Sequence, residues 1–178
     1  MKAPDRIETS RLLLRKATPQ DVDSIFSRYA SDPEVTRYVG WPRHRSIDDT
    51  HAFLKFNDAE WLQWPAGPYL IETKHDGQLI GSTGLSYDIP SCASTGYVLA
   101  RNMWGFGYAT EALEALVTLS PTLGIQKLYA LCHPEHHPSS HVLIKCGFKR
   151  EALLHNHLEF PNLAPGRLGD VLRYVQLF

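Results

Sequence analysis

A chain of 178 residues, 43% hydrophobic and 21% charged, has the length and composition of one globular domain, which excludes disordered, collagen-like and disulfide-stapled scaffolds. A formal net charge of −1 supplies no basic face for a nucleic acid, and no apolar run is long enough to cross a bilayer. Three scattered cysteines, Cys92, Cys132 and Cys146, suit reduced thiols, and the polar start Met1-Lys2-Ala3-Pro4-Asp5-Arg6 has no signal core, so a cytoplasmic protein is expected.

In chain order, Arg11-Leu12-Leu13-Leu14-Arg15 reads as a buried strand. Thr18 is placed to cap a helix with Pro19 at its first position, and Val22, Ile25, Phe26, Tyr29 and Ala30 keep helical spacing until Asp32-Pro33. A loop of aromatic and basic residues, Arg37 to Arg45, leads to a second cap, Ser46 with Asp49 three residues on. That helix carries Ile47, Phe53, Leu54 and Trp61 and ends before Pro65. Asp76-Gly77 between apolar runs marks a hairpin of Tyr69–Lys74 with Gln78–Ser86. Thr95 to Ala100 is a further strand, and Gln126 to Cys132 a central one. Pro138 is expected at the first position of a short helix with His137 near its cap and Gly147 closing it. Two last strands are expected around Lys149–His155 and Asp170–Phe178. Strands in runs with helices inserted predict a mixed α/β sheet rather than a doubly wound one.

The most informative segment is Trp104-Gly105-Phe106-Gly107-Tyr108-Ala109-Thr110-Glu111-Ala112-Leu113. Two glycines one residue apart, between a strand and a helix with apolar residues at Ala109, Ala112, Leu113, Leu116 and Val117, describe a tight turn at a fixed helix N-terminus. The first amides of such a helix lack intrahelical partners and sit at the positive end of its dipole, so they suit a phosphate or pyrophosphate. A dinucleotide fold of the Rossmann type is a poor fit, because position 110 is Thr where a third glycine would fall and the β-α-β order is irregular.

The order of elements, together with Glu8-Thr9-Ser10-Arg11-Leu12-Leu13-Leu14-Arg15, Gly96-Tyr97-Val98-Leu99, the glycine turn, and Ser139 leading to Lys145-Cys146-Gly147-Phe148, resembles the GNAT superfamily of acyl-CoA-dependent N-acetyltransferases. Within it the chain looks most like the RimJ/RimL branch, over about residues 8 to 177, which implies a single N-acetyltransferase domain. The resemblance implies a mostly antiparallel twisted sheet of six to seven strands with about four helices. It also implies a splayed parallel pair, here the strands of Tyr97 and Leu128. It implies acetyl-CoA as co-substrate, its pyrophosphate on the amides of Gly105, Phe106, Gly107, Tyr108, Ala109 and Thr110, and its pantetheine beside Val98 and Leu99. Asn102 stands where the family's phosphate motif usually begins with Gln or Arg, His136 where the late helix usually starts with Asn, and Ser94 where many members carry Glu.

Acetyl transfer from a thioester to an amine needs a deprotonated amine, support for an oxyanion and a proton for the departing thiolate. Ser139, which the resemblance places next to the sulfur, is the candidate proton donor, and strand amides near Val98 the candidate oxyanion support. A water ordered by His133, Glu135 or His136 is the candidate base. Lys145 reads as a cation at a helix C-terminus that is also a candidate phosphate contact, and Glu111 as a first-turn carboxylate serving the dipole. The histidines of His133-Pro134-Glu135-His136-His137 do not give a metal site at the spacing of zinc enzymes, since Pro134 and Pro138 preclude one continuous helix. The tryptophans read as core or rim, with Trp41 the candidate for an acceptor site framed by Arg37–Arg45 and Asn156–Gly169. Two activities remain: transfer of acetyl to a primary amine of a small molecule or protein N-terminus, and a catalytically weak acyl-CoA-binding module. A monomer and a homodimer are equally compatible with the sequence.

Overall fold

The computed structural model describes residues 2–178. Eight strands form one sheet: β1 (Arg6–Glu8), β2 (Leu12–Arg15), β3 (Pro68–Thr73), β4 (Leu79–Ile89), β5 (Cys92–Leu99), β6 (Lys127–Cys132), β7 (Lys149–Glu159) and β8 (Leu168–Leu177). Their spatial order is β1-β2-β3-β4-β5-β6-β8-β7, antiparallel throughout except for β5 and β6. The sheet thus has one strand more than the upper expectation. The extra one is β1, too short and polar to show periodicity, and held by pairing Arg6 to Glu8 with Arg15 to Leu13 of β2.

Four α-helices flank the sheet: α1 (Val22–Ile25), α2 (Ile47–Gln63), α3 (Tyr108–Leu119) and α4 (His137–Lys145). A 3-10 turn, Pro19–Asp21, leads into α1, and a π-helical turn, Phe26–Ala30, follows it, with Ser31 N–H donating to Phe26 C=O at 3.1 Å. At the start of α2, Asp49 accepts the Ser46 N–H at 3.0 Å, as the capping pattern predicts. Helix α4 begins at His137 with Pro138 second, one residue earlier than expected, because His136 serves as the cap.

Two apolar clusters explain why these segments stay helical. Leu113 and Leu116 of α3 and Leu143 of α4 pack on one sheet face with Leu12, Leu14, Ile80 and Leu128. Val22, Ile25, Tyr29 and Leu54 pack on the other with Leu70 and Val98. Each wholly buried leucine contributes roughly 2 kcal/mol of transfer free energy, so α3 is held by its stripe rather than by propensity.

The long hairpin of β7 and β8 runs further than expected, and the two ends of the segment Asn156–Gly169, residues 156–159 and 168–169, are strand. Pairing lapses between Leu154 and Leu158, where Asn156 adopts φ +47° and its N–H donates to Asp170 Oδ1 at 3.1 Å. Beyond this break, Leu158 and Phe160 line the site described next.

Candidate functional site

The parallel pair β5/β6 is joined at Cys92–Lys127, Ala93–Leu128 and Ser94–Tyr129 and no further. Beyond Ser94, β5 stays with β4 while β6 stays with β8, so the two strands part. Ala100 N–H donates to Ile80 C=O at 2.7 Å, which fixes the phase of the ladder: Val98 and Gly96 spend their backbone groups on β4, and Tyr97 and Leu99 turn theirs toward the gap. The Leu99 carbonyl is taken by the Trp104 indole N–H at 2.9 Å, leaving its amide on the open side.

A cavity of about 1040 Å³ runs through this gap, from the glycine turn at one end to Trp41, Phe53 and Phe160 at the other. Gly105 and Gly107 have φ of +82° and +80°, angles that cost a side-chain-bearing residue roughly 1–2 kcal/mol. The first backbone bond of α3 is Glu111 N–H to Gly107 C=O, so the amides of Tyr108, Ala109 and Thr110 have no partner within the helix.

A network not foreseen from the sequence clamps this turn. Glu111 Oε1 accepts the Thr9 hydroxyl at 2.6 Å and the Arg11 N–H at 2.7 Å, while its Oε2 meets Arg11 Nε at 2.7 Å. Arg11 then donates to the Phe106 carbonyl at 2.9 Å and lies over the Tyr108 ring. Burial acts to raise the Glu111 carboxyl, but hydrogen bonds from Thr9 and Arg11 outweigh it and hold the group below its ordinary value. Glu111 is therefore an anchor across the β1–β2 turn, a contact 100 residues long that helix periodicity does not reveal.

In the middle of the cavity, the Tyr97 hydroxyl bridges the gap to α4, donating to the Ser139 carbonyl at 2.9 Å and lying 2.9 Å from Ser139 Oγ. Burial pushes the Tyr97 phenol well up, so it stays protonated. His133 and His136 line the same cavity; Tyr38 stacks on His136 with ring centroids 5.0 Å apart and is tilted against His133 at 4.7 Å. Burial lowers both imidazoles, helped at His136 by its His133 and His137 neighbours and opposed at His133 by Glu135. The Glu135 N–H donates to His133 Nδ1 at 3.2 Å, so the proton of neutral His133 belongs on Nε2.

Of the residues singled out from the sequence, the structure gathers Val98, Leu99, Gly105, Gly107, Tyr108, Ala109 and Thr110 on one cavity, with His133, His136, Ser139 and Lys145. It leaves three outside the lining. Asn102 is exposed in a 3-10 turn whose neighbour Arg101 pairs with Asp32 at 3.1 Å; Phe106 turns outward, 60% exposed; and Glu135 is exposed. Tyr97 was missed, since in the sequence it reads as an ordinary strand aromatic.

The far end of the cavity takes lining residues from both Arg37–Arg45 and Asn156–Gly169, and one side chain ties the two segments together. Asn162 donates to the carbonyls of Thr36 and Trp41 at 2.8 and 2.9 Å and accepts the Arg43 N–H at 2.8 Å. Among the described residues no group of three or more His, Cys, Asp or Glu is arranged to hold a metal ion, and no helix is long and apolar enough to cross a membrane.

Residues 11–149 match the family model described as an acetyltransferase (GNAT) domain. The uncharacterized N-acetyltransferase p20 of Bacillus licheniformis is 31% identical over 176 residues, 97% of this chain and 96% of that protein. Among solved structures, the microcin self-immunity acetyltransferase MccE, in complex with acetyl-CoA and AMP, superposes with a TM-score of 0.87 at 18% identity, covering 99% of this chain and 98% of that one. RimL, a ribosomal-protein alpha-N-acetyltransferase in complex with coenzyme A, gives 0.83 at 21%, covering 97% and 98%. At these identities the two structures attest the shared fold.

Proposed function

We propose that this chain, which belongs to the GNAT family of N-acetyltransferases, moves acetyl directly from acetyl-CoA to a primary amine within a single domain spanning residues 8–177. The observation that carries the reading is the one cavity of about 1040 Å³, lined from an anion-suited helix N-terminus to an aromatic chamber on either side of the gap where β5 and β6 part. The complexes of MccE with acetyl-CoA and of RimL with coenzyme A support the choice of donor. RimL and RimJ among the structural neighbours favour that branch.

In this reading the amides of Tyr108, Ala109 and Thr110 hold the pyrophosphate, and Lys145, exposed at the end of α4, neutralises a further oxygen. The pantetheine lies along β5. Because the Val98 amide is committed to Ser82, the thioester oxygen takes the Leu99 amide instead, and Val98 supplies a side-chain wall. Attack by the amine gives a tetrahedral oxyanion; collapse breaks the C–S bond, and the thiolate takes the Ser139 hydroxyl proton, restored by the proton that the amine gives up, while the Tyr97 hydroxyl holds Ser139 in place. His136 is the better proton acceptor of the two histidines, through a water, because Nδ1 of His133 is already occupied by the Glu135 amide.

The test is thiol release from acetyl-CoA with a panel of small amines and short peptides, beside calorimetry with coenzyme A alone. Release with an amine supports the transferase. Saturable binding without release for any amine supports the binding module, and absence of binding overturns both. Replacing His136 by Ala is expected to change the acid limb of the pH–rate profile, below the ordinary imidazole value of 6.5 from which burial lowers this group; an unchanged profile removes it from the proton path.

A further inference from the structure

Beside the acceptor chamber lies a second, much smaller cavity of about 40 Å³, lined by Tyr29, Trp41, His44, Phe53 and Ser82. Three of these, Trp41, Phe53 and Ser82, also line the large cavity, so the small one is a recess of the acceptor chamber. Its polar groups are unusual for a protein interior. Tyr29 is 1% exposed, and its hydroxyl has no hydrogen-bond partner among the described residues. The neighbouring Ser82 acts against the upward push of burial on that phenol without reaching hydrogen-bond geometry. His44, 8% exposed, uses Nδ1 on the Thr50 hydroxyl at 2.9 Å, which leaves Nε2 as the ring nitrogen not engaged there. A buried hydroxyl without a partner is costly, and native proteins rarely keep one without a use. Tyr29 also stands in the π-helical turn Phe26–Ala30, an irregularity that re-aims side chains and recurs at functional sites.

The chemistry of the recess defines its occupant. A volume of about 40 Å³ admits one oxygen-sized group, a water's share of liquid volume being about 30 Å³. No Asp, Glu, Lys or Arg lines it, and burial disfavours the charged form of His44, so a carboxylate or ammonium would be uncompensated. A methyl group would leave the Tyr29 hydroxyl unpaired. Tyr29 and Ser82 each donate and accept, which matches a group that does both.

We propose that the recess is a specificity subsite that binds a hydroxyl of the acceptor, so that the acceptor class is an amine with an apolar body and an uncharged hydroxyl at its far end. This rests on the transferase reading. The apolar body would lie on Trp41 and Phe53, the rings that line both the recess and the main chamber.

The experiment compares matched pairs that differ by one hydroxyl, tyramine against phenethylamine and hydroxyalkylamines of two to six carbons against the plain alkylamines. Thiol release is followed with the wild type and with Tyr29→Phe and Ser82→Ala, and coenzyme A binding and thermal unfolding are measured alongside. In the wild type, kcat/KM for one hydroxylated member is expected to exceed that of its partner by about tenfold or more, since a site built to bind a hydroxyl rejects the analogue lacking it. Tyr29→Phe is expected to bring that ratio near one. Equal kcat/KM values across all pairs in the wild type, an unchanged ratio in Tyr29→Phe, or a complex in which the recess keeps a water while the hydroxylated amine binds elsewhere would each overturn the subsite. If no amine releases thiol although coenzyme A binds, it is the transferase reading that fails.

Discussion

The two ends of the cavity are built by different means. At the proposed donor end, the backbone of one contiguous segment, Gly105 to Thr110, would supply the binding groups, and a single carboxylate, Glu111, fastens that segment to the β1–β2 turn. At the proposed acceptor end, side chains from the π turn after α1, the loop before α2, the end of β7 and the loop after it converge; Asn162 ties the last loop to the loop before α2, which the His44 N–H ties to the Ala30 carbonyl of the π turn. A backbone site tolerates much sequence change because every residue carries the same amide. A side-chain site changes with each substitution, which suits the end that selects among acceptors.

Variants can break this contrast. The largest effect is expected where the ends meet: Ser139→Ala should lower kcat about 100-fold, with coenzyme A affinity changed only a few-fold, as stopped or continuous thiol assays and calorimetry would show. Gly107→Val places a β-branched residue at φ +80° and should weaken coenzyme A binding roughly 30-fold, an effect of about 2 kcal/mol. An equal rise in acceptor KM would mean that the ends are not separable. Glu111→Ala should cost about 1–2 kcal/mol of folding stability, the exposed Arg11 guanidinium adding little to that. Because the Glu111 carboxyl is held below its ordinary value of 4.5, this stabilisation is present above about pH 4.5 and is lost as pH falls through the lower folded-state value. The gap in unfolding free energy between wild type and variant should therefore close in acid, and a gap constant with pH would contradict the network. The smallest effect is expected from Asn162→Ala, which should raise acceptor KM several-fold, about 1 kcal/mol, and leave donor affinity unaltered.

How far the sequence could be read follows the same division. The helix stripes of α3, the capping pattern at Ser46, the Asp76-Gly77 hairpin and the glycine turn are local patterns, and each stands where periodicity and turn chemistry put it. Strand β1 was missed because three residues carry no period, and the reach of β7 was underestimated because Asn156 reads as a turn residue while it marks a break within a strand. Asn102 and Glu135 had the expected places in the chain but face solvent, outside the cavity. Tyr97 bridges to Ser139 across 42 residues, a partnership invisible from either neighbourhood.

What the amino-acid order determined by itself was the anion-suited turn, since two glycines before an apolar helix stripe specify its backbone wherever the segment lies. The order of elements likewise determined a mixed sheet, whose parallel pair was implied by the resemblance to the GNAT superfamily. Only the tertiary structure decided which amides of β5 face the gap, through the phase of its ladder with β4. The same packing brought Thr9 and Arg11 to Glu111, and enclosed Tyr29, His44 and Ser82 around one small recess. The physical reason is range: turns and periods are set by bonds and neighbours within a few residues, whereas ladder phase and cavity walls depend on segments that meet only when the hydrophobic core closes.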